Sequence, residues 1–423
     1  MASRGRGKNE KSAPRVRRVE QIELSERHII LRIVFVGLFL ALAVAGFAIG
    51  IKNVFGVPKG WREISPTGLT ASAAGVSEEI TLTYYVGRGS ASAAKDNRNV
   101  TALYRDALNE ADRIYDARTV NGMNLAFLNA NPNKWVAVDP ALRASLLLIA
   151  ETDCRNVWLG ALSEIYYDLF FRPDGSDLSE YDPAINPALG EICADLAAFA
   201  RDPASVGLSF KGDSVMLTVS DEYAAFAAEN GIDAYLDLFW MRNAFIVDYV
   251  AASLTANGYS AGYITTVDGF SRNLARDETE FAFRIFDPDG TTVRVAGELI
   301  YSGATSFVRF KSYCFPSDPD WLWVAGDDGV VRHPYLSTAD GTPRAAISDL
   351  VGFSRTGGCA ETALRLTPVF TAGELTPSAL AALTGAGIGY VYTRDLVVHV
   401  NSAEVTVTNL FESEDAVYTV TKD

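Results

Sequence analysis

Nineteen consecutive residues without a charge, Ile33 to Ile51 (IVFVGLFLALAVAGFAIGI), constrain the fold of this chain more than any other feature. At about 1.5 Å per helical residue the run crosses the ~30 Å hydrocarbon core of a bilayer. Arg32 and Lys52 stand at its two edges, where long basic side chains reach the headgroup region. A signal peptide has a shorter apolar core and a small-residue cleavage site after it. The run therefore predicts one uncleaved transmembrane anchor over residues 29–51, with cleavage at the small residues of VAGFAIG as the alternative reading.

Charge sets the orientation. The first 28 residues carry eight Arg or Lys and four Glu, net +4 against −15 for the whole chain, which leaves −19 for the remainder. Basic flanks stay on the cytoplasmic side, so residues 1–28 read as a basic cytoplasmic tail and everything after Lys52 as extracytoplasmic in the cell membrane. A strongly acidic body argues against nucleic acid as a partner, because phosphate backbones select for excess Lys and Arg. The four cysteines, Cys154, Cys193, Cys314 and Cys359, lie on the exported side. An even count there allows two disulfides in three connectivities, with buried thiols as the other reading. They form no CxxC pair of the zinc type.

Residues 52–79 are rich in Gly, Pro, Ser, Thr and Ala and read as a flexible stalk. The folded domain is expected over residues 80–423. EITLTYYVG alternates as a strand does, and VTALYRDALNEADRIYDA places Leu103, Ala107, Ala111 and Ile114 at helical spacing. Asp139 followed by Pro140 marks a helix start. NPALGEICADLAAFARD reads as a further helix, GLSFKGDSVMLTVS as a hairpin turning at Lys211–Asp213, and AYLDLF as a short strand. NAFIVDYVAASLTANG is a helix closed by Gly258. Short strands and turns fill the rest, so the class is α+β. FDPDG (286–290) lacks the remainder of a calcium loop and reads as a β-turn. GxSxG and GxxxxGK[ST] are both absent, and three histidines leave little room for a hydrolytic constellation.

The order of segments carries more information than any one of them. ITLTYYV, EADRIYDA, LNANPNKWVAVDPALRASLLLIAE, GDSVMLTV, LDLFWMRNAFIVDYVAASLTANGYSAGYITTVDG, RHPYLSTADGTP and GGCAETALRLT follow one another in a succession that resembles the bacterial FAD:protein FMN transferase (ApbE) family, from about Ile80 to the C-terminus. The resemblance implies a mixed sheet and helix domain that splits FAD with Mg²⁺ and joins FMN through its phosphate to a Ser or Thr of an exported redox protein.

Each motif departs at a residue that carries chemistry. The family's Asp-Leu-Gly-Gly-x-x-Lys-Gly-x-x-x-Asp is matched here by Asp237, Leu238, Val247 and Asp248, while Phe239 and Trp240 replace the glycine pair and Asn243 and Ala244 the Lys-Gly. The resemblance makes Asp237, Phe239, Trp240 and Asn243 the candidate flavin-contacting positions. Paired glycines permit φ > 0 and let a ligand approach backbone N–H groups; two large rings supply neither property. Asp237 also has the reading of a carboxylate that caps the following helix, and Asp248 that of a solvated or ion-paired side chain.

The family's Thr-Ser-Gly becomes Tyr301-Ser302-Gly303, so Ser302 and Gly303 are candidate cofactor contacts, and its Gly-Gly-Asp becomes TVDGF (266–270). His333, with Thr338 and Gly341 of a following turn, is the candidate catalytic base, beside Asp237. A metal pattern Ala-Asp-x-x-x-Thr leaves Thr362 as a candidate metal ligand and puts Gly358 where the aspartate belongs. Glu361 is the nearest replacement carboxylate, with Asp340 or Asp349 as alternatives. The expected protein is thus a membrane-anchored extracytoplasmic member of this family with weakened or lost transferase activity, FAD and Mg²⁺ as its inherited cofactors and an exported flavin-accepting protein as its partner. The alternative is a non-catalytic binding or scaffold module on the same fold.

Overall fold

The computed structural model describes residues 57–423 apart from 89–91, 174–175, 276–278, 290–291, 320, 327 and 414–415, together with residues 34, 37–44 and 46. The chain divides into two units, Met1–Val57 and Pro58–Asp423. In the first, residues 37–44 are helical and exposed. Most of the predicted anchor lies outside the described residues, and among those described no helix is long and apolar enough to cross a membrane.

The second unit is built on a nine-stranded sheet. Its strands run, edge to edge, Gly60–Ile64, Ile80–Val86, Gly262–Thr266, Phe270–Asn273, Thr305–Lys311, Asp349–Ser354, Gly389–Arg394, Val397–Val400 and Thr419–Lys422. All neighbours are antiparallel except the last pair. The two faces bury different layers, as the alternation of side chains along a strand requires. On Thr305–Lys311, Phe307 stacks on Phe283 at 4.9 Å, whereas Phe310 meets Phe370 at 5.6 Å. Phe283 belongs to the long hairpin Glu280–Asp289/Thr292–Ser302, and Phe370 to helix Cys359–Phe370. The hairpin face encloses a core of Ile285, Leu299, Phe307, Phe353, Val391 and Val398.

On the helical face, helix Arg242–Ala256 packs along helix Ala93–Tyr115 and beside Cys359–Phe370. Val100, Tyr104, Ala107, Leu108, Ala111 and Ile114 form the buried stripe of Ala93–Tyr115, close to the predicted register, with Leu103 at its half-buried flank. Asp139 caps helix Pro140–Thr152 through Ala141 N at 2.9 Å. That helix stops at Asp153, whose φ is +47°, and a 3₁₀ stretch, Arg155–Leu162, precedes helix Ser163–Phe170.

Three expectations differ from the structure. FDPDG, read as a β-turn, puts Phe286–Asp289 in strand Glu280–Asp289, paired across the hairpin. The segment read as a stalk contributes edge strand Gly60–Ile64 and helix Ala71–Glu79, the latter capped by Thr70 Oγ1 at 3.1 Å from Ala73 N. Small residues that resemble a linker pack here because Ala73 and Val76 are buried. AYLDLF forms no strand. Its backbone is paired by a side chain instead: Asn129 donates to Leu236 O at 2.8 Å and accepts from Leu236 N at 3.0 Å, which satisfies a buried peptide without a ladder.

Candidate functional site

The segment Asp237–Asp248 keeps a glycine-like backbone without its glycines. Phe239 has φ +40°, in the left-handed region that costs a residue with a Cβ about 1–2 kcal/mol. Asp237 holds the turn in place: its Oδ1 accepts from Phe239 N at 2.9 Å and its Oδ2 from Ser163 Oγ at 3.0 Å, with Arg118 at 3.6 Å. From the other side Gly160 is pressed against the segment so closely that a Cβ there would collide with the carbonyl oxygen of Asp237. The rings of Phe239 and Trp240 are buried, Phe239 edge-on to Tyr167 at 5.2 Å and to Trp240 at 5.4 Å. Trp240 Nε1 has no hydrogen-bond partner. Packing side chains thus occupy a turn whose shape suits glycine.

Asn243 opens helix Arg242–Ala256 and is buried. Its Nδ2 donates to Glu79 Oε2 at 2.7 Å and to Asp268 Oδ2 at 2.8 Å, so two carboxyl groups converge on one amide. Burial raises both carboxyl pKa values, Asp268 to about 7. Asp268 Oδ1 has no partner, and Asp268 lines a cavity of about 440 Å³ on the hairpin side of the turn Thr266–Phe270. Tyr263, Phe281, Phe283, Tyr301, Phe315 and Trp323 supply its aromatic wall.

Two cations complete that wall. Arg309 lies over Phe283 at 4.4 Å and beside Asp349 at 3.3 Å. Lys311 lies over Trp323 at 4.3 Å and pairs with Asp318, and burial lowers its pKa. Aromatic faces and carboxylates hold both charges in a partly desolvated setting. A second cavity, about 620 Å³, shares Val267 and is bordered by Glu79, Tyr167 and Phe171. The pair Glu79 and Asp268 therefore stands between two cavities.

The predicted site residues separate into three places. Asn243 reaches the aromatic cavity through Asp268, and Phe239 approaches the second cavity through Tyr167. Ser302 ends a hairpin strand, and Gly303, at φ +81°, makes the turn after it, its carbonyl accepting from Asn273 Nδ2 at 2.9 Å. Their neighbour Tyr301 is the one that lines the cavity.

His333 stands apart from both cavities. It is buried against Tyr335 and Phe370, at 5.3 and 6.3 Å, and its Nδ1 has no partner. Burial pushes its pKa down to about 4, which leaves a neutral imidazole enclosed by rings. Thr338 and Gly341 belong to the following turn, where the carbonyls of Thr338 and Ala339 accept from Arg201 and that of Gly341 from Tyr166.

Thr362 and Glu361 lie in the first turns of helix Cys359–Phe370. Thr362 Oγ1 donates to Gly358 O at 2.8 Å, and Glu361 pairs with Arg365 at 3.2 Å. Asp248 caps this helix from 111 residues away, accepting from Cys359 N and Ala360 N at 2.9 Å each. Gly358 has no side chain to offer, and a Cβ there would meet the Asp248 carboxylate. Of the alternative carboxylates, Asp340 is bound to Thr342 and Arg344, and Asp349 to Tyr313 and Arg309. Among the described residues no group of three His, Cys, Asp or Glu could hold a metal ion. Mg²⁺ needs near-octahedral oxygen coordination, and these residues do not fit it.

Cys154, Cys193 and Cys359 are buried free thiols. The two-disulfide reading is not met, and the buried-thiol reading describes those three. The residues that sequence reasoning passed over are Glu79, Arg272 and the aromatic wall, and Asp268 was noted only within TVDGF, without a role. Alternating Phe281 and Phe283 signalled a two-faced strand, but nothing local marked which face meets a cavity.

This fold, a sheet with a long hairpin over one face and helices over the other, is similar to that of solved ApbE flavin transferases. An ApbE protein from Thermotoga maritima superposes with a TM-score of 0.54 at 13% identity, over 83% of this chain and 97% of that one. The flavin transferase ApbE from Vibrio cholerae superposes with a TM-score of 0.53 at 12% identity, over 83% of this chain and 98% of that one. Neither a protein-family model nor a curated protein sequence matches the chain.

Proposed function

We propose that this protein is a membrane-anchored, extracytoplasmic ApbE-fold domain that binds a flavin nucleotide or a related planar ligand and has lost Mg²⁺-dependent FMN transfer. The observation that carries the reading is the 440 Å³ cavity, which has aromatic walls, an unpartnered carboxyl oxygen at Asp268, the buried Lys311 and the half-buried Arg309. A planar ring stacks on such walls, and polar groups on its edge meet the charges. Loss of transfer is supported by His333, sealed and neutral, and by Gly358, which offers no carboxylate. Anchoring is supported by the charge-free run and by the exposure of Val34, Leu38, Phe39, Leu40, Leu42 and Val44.

The test is to add FAD, FMN or riboflavin to the full chain in detergent micelles, follow flavin fluorescence, and assay AMP release with Mg²⁺ present. Saturable quenching without AMP is the expected result. AMP release with flavin attached to an added Ser/Thr acceptor protein would restore the inherited transferase function. No binding of any flavin at millimolar concentration would overturn the flavin reading and leave a scaffold module.

A further inference from the structure

Arg272 lies on strand Phe270–Asn273, on the face that meets the helices. Its Nη1 sits among three oxygens of different kinds: Asp248 Oδ1 at 3.1 Å, Ser306 Oγ at 2.8 Å and Gly357 O at 3.4 Å. A carboxylate, a hydroxyl and a main-chain carbonyl, drawn from a helix, a strand and a loop, meet at one positive nitrogen. Ser306 closes the network by donating to Gly357 O at 3.0 Å.

This is the donor set that a hard divalent cation uses, and it lies where the metal pattern of the resembled family runs, at Gly358 and Thr362. The one carboxylate is that of Asp248, which fills the space that a side chain at 358 would need. A +1 guanidinium balances a single carboxylate, whereas a divalent ion beside the same carboxylate and an adjacent Arg would leave the site with excess positive charge.

We propose that the Arg272 guanidinium is the resident cation of this site, taking the place of a divalent metal, so that the fold is complete without Mg²⁺. A cavity of about 300 Å³ bordered by Asp248, Thr255, Arg272 and Gly358 adjoins it, so removal of the side chain would open the three oxygens to solvent ions. The inference deepens the proposed loss of metal-dependent transfer, but its test involves no flavin, so the two can fail separately.

The experiment titrates Mn²⁺ into the full chain in micelles, reading free Mn²⁺ by its electron paramagnetic resonance signal, with unfolding midpoints in millimolar Mg²⁺ and in EDTA. Wild type is expected to leave the Mn²⁺ signal intact and to unfold at one midpoint in both solutions. Arg272→Gln, which keeps a hydrogen-bond donor without the charge, is expected to bind Mn²⁺ more than about tenfold tighter than wild type. Arg272→Lys, which keeps the charge, is expected to match wild type. Stoichiometric Mn²⁺ uptake by wild type, or a midpoint lowered by EDTA, would overturn the proposal. So would a folded Arg272→Gln protein with no gain in Mn²⁺ affinity. Should Arg272→Gln not fold, the wild-type titration still decides.

Discussion

The strained turn at Phe239 yields an inverted order of stability between two substitutions. Removing a buried Phe ring costs about 3–5 kcal/mol, and Phe239 is 7% exposed against Tyr167 and Trp240. Phe239→Ala and Phe239→Gly lose the same ring, so their difference isolates the backbone. In ordinary strand or helix backbone Gly is about 0.5–1 kcal/mol worse than Ala because the unfolded chain gains freedom. At φ +40° the Cβ of Ala meets the left-handed penalty of about 1–2 kcal/mol, which Gly escapes. The balance favours Gly by up to about 1.5 kcal/mol. Urea unfolding of both variants, with equal m-values, is expected to place the Phe239→Gly midpoint above that of Phe239→Ala. If Ala were equal or better, the turn would not be strained and its kinship with a glycine pair would fall.

Two buried groups of opposite sign make a pH experiment informative. Asp268, its pKa raised to about 7, contributes stability that is full below its unfolded value near 3.8 and is lost as pH rises toward 7. His333, lowered to about 4, contributes stability present above 6.5 and lost as pH falls toward 4. Between about pH 4 and 6.5 the two slopes, each about 1.4 kcal/mol per pH unit, oppose each other. Relative to wild type, Asp268→Asn should therefore gain stability with rising pH across that window and His333→Phe should lose it, as urea midpoints would report; parallel curves would exclude both assignments. Gly160→Ala should lose more than about 3 kcal/mol or fail to fold, because Asp237 O occupies the space; a wild-type thermal midpoint would refute this contact. Tyr301→Ala should weaken flavin quenching about tenfold while leaving the unfolding cooperative, and an unchanged affinity would move the ligand out of the aromatic cavity.

Helices and strands with regular spacing were legible in the sequence, since each buries one face of a simple period. Asp139–Pro140, the Gly212 turn and the alternation of ITLTYYV state their conformations locally. Residues 60–79 were not legible as structure, because Ala and Ser become core only where a neighbour covers them. The site was legible in outline, as motif positions, but not in its contacts. Asn243 reads as the loss of a lysine; only the fold brings Glu79 and Asp268 to its amide. Asp248 matches its motif, yet it caps a helix 111 residues away. His333 carries the chemistry of a base, and its surroundings, set by Tyr335 and Phe370, remove it.

The sheet places strand Ile80–Val86 directly beside Gly262–Thr266, so nearly the whole helical layer is looped out between two hydrogen-bonded neighbours. During synthesis the earlier strand must wait for the later one to emerge from the ribosome, with only the short antiparallel partner Gly60–Ile64 available. Contacts of such long sequence separation slow folding and prolong the exposure of an apolar edge. For the exported domain proposed above, that delay would be useful, because a sheet that cannot close early stays threadable until export is complete.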